Sequence, residues 1–88
     1  MTRENAIELL LAELDRAERL HPRWPADEVH AAAIVAEEAG ELVQAALNHY
    51  YRKPKNSDPY VLDAEKMRTE AIHTGAMALR FLINMDEV

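Results

Sequence analysis

Residues 36–47 read AEEAGELVQAAL. Alanine, glutamate, leucine and glutamine are good helix formers, and no alternating run of β-branched or aromatic residues marks a strand. The run predicts a helix, and it widens in both directions to about 26–52, with Ala31, Ala32, Ala33, Ala36, Ala39, Ala45 and Ala46 along it. Such a helix is a rod of about 40 Å at 1.5 Å per residue. Gly40 interrupts it at about 1 kcal/mol of propensity, which marks either a close neighbour or a local bend.

Upstream, Ile7, Leu10, Leu11, Leu14 and Ala17 recur at spacings of three and four, which predicts a helix over about 3–20 with Thr2 as its cap. The stretch His21-Pro22-Arg23-Trp24-Pro25 ends it. Downstream, PKNSDP at 54–59 is a loop. A third helix over about 61–85 carries Val61, Leu62, Met67, Ala71, Met77, Ala78, Leu79, Leu82 and Ile83. The expected fold is all-α, a single domain over 1–88. Short connections favour an antiparallel hairpin of the second and third helices, with residues 9–14 covering part of it.

The chain has 88 residues, 49% of them hydrophobic and 30% charged, an ordinary globular balance. So short a chain buries a modest fraction of its surface, and three helices leave wide alanine- and leucine-rich faces. A homodimer, or a dimer of dimers, is the expected remedy. The net charge of −6 and pI near 5.1 leave no basic face for a nucleic-acid backbone. The absence of cysteine excludes disulfides and thiolate metal sites and fits a cytoplasmic protein. No apolar run reaches the roughly 18 residues of a membrane span, and MTRENAIELL does not read as a signal peptide.

The chemistry lies in the acidic residues. Glu37, Glu41 and Glu38 fall at about 0°, 40° and 100° on a helical wheel, one sector with Ile34 inside it at about 60° and Leu42 beside it at about 140°. Carboxylates on consecutive turns repel one another and suit hard divalent cations such as Mg²⁺ or Mn²⁺; a solvated acidic face is the plainer reading. On the third helix Glu70, His73, Met77, Phe81 and Asn84 share one side, within about 60° of Glu70, so a carboxylate, an imidazole and an amide interrupt an apolar stripe. His73 read alone is equally a semi-buried histidine with satisfied nitrogens, and Glu70 a partner of Lys66 or Arg68. Arg52, Lys53, Lys55, Lys66 and Arg80 are the cations that can meet a phosphate. Trp24 either stacks on a base or covers an end of the bundle.

Glu38 and Glu41, followed after a loop by Glu70 and His73, resemble the ExxE…ExxD signature of the all-α nucleoside triphosphate pyrophosphohydrolases, the MazG-like group. The strings AEEAGELVQAAL and EAIHTGAMALRFL are similar to its small bacterial and phage members. The resemblance covers about 26–85 and implies an oligomeric helical bundle. It also implies Mg²⁺, or Mn²⁺, held by Glu37, Glu38, Glu41, Glu70 and His73, with Glu38, Glu41, Glu70 and His73 as the catalytic set. Trp24, Lys53, Lys66, Arg80 and Asn84 are then candidates for binding a nucleotide that is cut between its α and β phosphorus atoms, releasing pyrophosphate and a nucleoside monophosphate. His73 departs from the pattern, standing where the family has aspartate. The alternatives are a non-catalytic MazG-like helical dimer with a structural or regulatory role, and an unrelated helical interaction module.

Overall fold

A computed structural model describes residues 1–51 and 60–85, the side chains of 60–63 excepted. They form three helices, α1 (Arg3–Leu20), α2 (Glu28–Tyr51) and α3 (Tyr60–Ile83), and none is long and apolar enough to cross a membrane. Thr2 caps α1, its Oγ1 accepting from the Asn5 amide at 3.1 Å. The second helix starts two residues later than expected because Asp27 caps it. Its Oδ1 accepts from the Val29 amide at 3.0 Å and its carbonyl from Ala31 at 2.9 Å. Asn84 closes α3 rather than extending it, its side-chain amide donating to the Arg80 carbonyl at 2.8 Å. The expected 54–59 loop lies outside the described residues.

The partners across each interface fix the topology. Glu38 meets His73, and Ala32 and Val35 share a groove with Phe81 and Leu82, so α2 and α3 run antiparallel. Leu10 meets Gly75 and His21 meets Arg80, so α1 runs parallel to α3. Among the described residues α1 packs on α3 and makes no close backbone approach to α2. A trough therefore opens between α1 and α2, with α3 as its floor.

The core is thin. Leu14, Ala17, Ala76 and Met77 are buried, with Trp24, Ile34, Val35 and Leu79 packed against them. Of the expected covering residues 9–14, Leu10 and Leu14 turn inward, while Leu9 and Leu11 stay exposed. Arg80, 4% exposed, straps the interhelix segment to α3. Its Nη2 donates to the carbonyls of His21 and Arg23, and its guanidinium stacks over Trp24 at 5.0 Å.

The two glycines differ. A Cβ on Gly75 would come within 2.5 Å of Leu10 Cδ2, whereas a Cβ on Gly40 meets nothing within 4 Å. Gly75 lets α1 close on α3; no described neighbour explains Gly40. Replacement of Gly40 by alanine is expected to stabilise the protein by about 0.5–1 kcal/mol through helix propensity, and G75A by less, because Leu10 must swing aside. Urea unfolding of both variants checks this. A loss of stability in G40A would show that another surface covers that face of α2.

Candidate metal and nucleotide site

Three helices deliver carboxylates to one imidazole. His73, half-buried on α3, places Nδ1 at 3.7 Å from Glu38 Oε2 of α2 and at 3.7 Å from Glu70 Oε2 one turn back. Its Nε2 lies 3.8 Å from Glu13 Oε2 of α1. Ligand atoms of Glu38, Glu70 and His73 all lie within 4.8 Å of one another. Helical periodicity explains the grouping. Positions 70 and 73 share one face of α3, and the antiparallel register brings 38 opposite 73.

Glu70 is the most enclosed charge, at 2% exposure. Lys66, one turn earlier, approaches its Oε1 at 2.7 Å. That bond outweighs desolvation and holds the Glu70 carboxyl below its ordinary pKa, with Glu41 adding a further hydrogen bond. Glu70 Oε2 and Glu38 Oε2 are buried with no hydrogen-bond donor. Two donorless acceptors turned toward one small space need a cation or a proton between them.

Glu41 and Glu37 are both exposed and lie outside that trio. Glu41 stays on its rim. A hydrogen bond to the Glu70 carboxylate, then the charges of Glu38, Glu70 and Glu37, hold its pKa above the ordinary value. Glu37 acts here only through that charge. Lys66 is beside Glu70 and pairs with it, as one sequence reading had it. Lys53 lies outside the described residues.

A cleft of ≈ 320 Å³, at the low end of ligand-pocket volumes, adjoins the trio. Glu13, Arg16 and Ala17 form one wall and Ile34 and Glu38 the other, with His73, Met77 and Arg80 at the base and Trp24 and Arg23 at one end. Trp24 covers the end of the core and lines the cleft as well. Arg80 also lines it, but with the strapping contacts described above. Asn84 faces a neighbouring hollow with Trp24 and Phe81, away from the carboxylates.

Sequence reasoning missed Glu13 and Arg16. Arg16 Nε and Nη2 donate to the two oxygens of Glu13 at 2.8 and 2.7 Å, and this fork holds the Glu13 carboxyl below its ordinary pKa. The sequence places Glu13 directly before the inward-facing Leu14 of α1, which hints at its half-buried position but not at its partner on α3.

The raised pKa of Glu41 has a signed consequence. The folded state holds this proton more tightly than the unfolded chain, so stability falls as pH rises from the ordinary carboxylate range through the raised value. Glutamine cannot ionise. E41Q is therefore expected to melt above the wild type at neutral pH in chelator, with the gap closing as pH falls below the ordinary carboxylate range. In saturating Mg²⁺ the wild type should gain more than E41Q. A melting difference that is the same at every pH would remove Glu41 from the cluster's electrostatics.

Compared with known proteins, the chain matches no family model, no curated protein and no solved structure.

Proposed function

We propose that the protein is a divalent-cation-dependent nucleoside triphosphate pyrophosphohydrolase of the MazG-like type. The observation that carries this reading is the pair of buried, donorless oxygens, Glu38 Oε2 and Glu70 Oε2, facing the same space as a nitrogen of His73. The residues fit a cation. Around octahedral Mg²⁺ at 2.0–2.1 Å, ligand atoms are ~2.9 Å apart when adjacent and ~4.2 Å when opposite, so the trio, spread over 4.8 Å with Nδ1 at 3.7 Å from both oxygens, would close by roughly 0.6–0.8 Å around the ion. When bound, the cation supplies neutralisation of phosphate charge and a more acidic water.

The protein's own groups supply the rest. Glu41 lies on the exposed rim of the cluster, and its carboxyl, raised by its acidic neighbours, accepts the proton lost by the attacking water. A nucleotide in the cleft lies with its base against Trp24 and its phosphates toward Glu38 and His73, within reach of Arg16 and Arg23. Lys66 marks the far side of Glu70.

A non-catalytic relative is the second reading. Lys66 already engages Glu70 Oε1 at 2.7 Å, and an imidazole stands where the resembled family has a carboxylate. His73→Asp separates the two. Under the enzymatic reading, Mg²⁺ affinity rises and pyrophosphate release falls. Under the other, release first appears in the variant. Pyrophosphate release from a panel of nucleoside triphosphates, with Mg²⁺ titration of both proteins, is the measurement. Unchanged Mg²⁺ affinity would place His73 outside the metal's surroundings and return it to a packed interface histidine.

We also propose a homodimer, or a dimer of dimers. Val43, Leu47, Leu82 and Ile83 are 45–63% exposed. Val35, Ala36, Ala39, Ala78, Phe81 and Leu82 line an apolar groove between α2 and α3. Exposed apolar surface of this extent on so small a chain suits a second copy. Sedimentation at micromolar concentration is expected to give at least twice the 10.0 kDa chain mass; a stable monomer would contradict it.

A further inference from the structure

His73 turns its two ring nitrogens toward different helices. Nδ1 faces Glu38 and Glu70, and Nε2 faces Glu13 on α1. Glu13 is not free to swing away, because Arg16 grips both its oxygens and its side chain is 14% exposed. On the other side of the ring, Glu70 Oε2 belongs to a side chain 3% exposed and has no donor. A neutral imidazole carries one proton, and the nitrogen without it offers a lone pair. Once a cation occupies the space beside Glu38 and Glu70, a proton on Nδ1 is repelled and must move to Nε2, where Glu13 Oε2, now 3.8 Å away, can close in and accept its hydrogen bond. Three groups then act in series: carboxylate, imidazole, cation. Metal-binding histidines are commonly oriented this way.

We propose that Glu13 is a positioning residue that holds His73 as the Nε2–H tautomer, so that its Nδ1 lone pair faces a divalent cation shared with Glu38 and Glu70. This rests on the metal-site reading above and adds α1 to a site otherwise built from α2 and α3. An imidazole nitrogen among the ligands also favours Mn²⁺ over Mg²⁺.

The test uses the full chain, Mn²⁺ alone for affinity, and the Zn²⁺-loaded protein for the ¹⁵N signals that report the tautomer of His73. Glu13→Ala is expected to weaken Mn²⁺ binding about 10- to 100-fold and to lose the uniform Nε2–H tautomer of the wild type. Glu13→Gln, which keeps an acceptor oxygen, should retain the tautomer in large part and also serves if the alanine variant loses helicity. Equal Mn²⁺ affinity in wild type and Glu13→Ala would overturn the inference and leave the metal site standing. So would an affinity loss with the tautomer unchanged, because Glu13 would then act only as a distant charge. A wild type that binds no Mn²⁺ would remove the metal site itself, and this inference with it.

Discussion

Glu70 sits on the central helix with its side chain almost withdrawn from water, one oxygen held by Lys66 and the other by no donor. Enclosing a carboxylate is unfavourable unless charge or hydrogen bonds replace the lost water. Lys66 does so for one oxygen and keeps the group ionised. The second oxygen faces Glu38 and His73, so the helices around it are committed to supplying either a shared proton or a cation. Glu41, on the rim, feels the same crowding: its place beside Glu70 and the charges of Glu38, Glu70 and Glu37 raise its pKa. The grouping of donorless oxygens with a ring nitrogen suits a cation.

The thin core decides where these groups can meet. Gly75 and Ala76 give α3 a low profile, so α1 closes on it through Leu10 and Leu14 while α2 closes on an adjacent side. Because the backbones of α1 and α2 stay apart among the described residues, the trough between them stays open. Arg80 and Trp24 finish one end of it by tying the interhelix segment to α3. The strap, the cleft and the acidic cluster thus draw on residues at successive turns of α3: Glu70, His73, Met77 and Arg80.

Local periodicity made the helices legible. Apolar spacing marked α1, and alanine with Pro25 and PKNSDP bracketed α2. The boundaries moved where side chains capped the backbone, at Asp27 and Asn84, because an Asp or Asn near a helix end reads equally well as its last residue or its stop. Glu38, Glu70 and His73 were legible as a group because each pair of neighbours shares a helix face and the short connection imposes antiparallel pairing. Glu13 was not legible, since nothing local says that α1 runs parallel to α3 at a register that brings 13 beside 73. Arg80 was legible as a cation but not as a strap, because its partners are backbone carbonyls nearly sixty residues away. Glu37 belongs to the same wheel sector as Glu38 and still points to solvent.

The proposed cation site rests on the donorless oxygens of Glu38 and Glu70 beside a nitrogen of His73. A cation at Glu38, Glu70 and His73 holds the central role in the proposed function. Paramagnetic broadening of backbone amide signals by substoichiometric Mn²⁺ tests that most directly. Signals near residues 38 and 70–73, with those near 13 on α1, are expected to broaden first and together. Broadening spread evenly over the exposed acids, or centred on Glu4 and Glu8 at the start of α1, would contradict it.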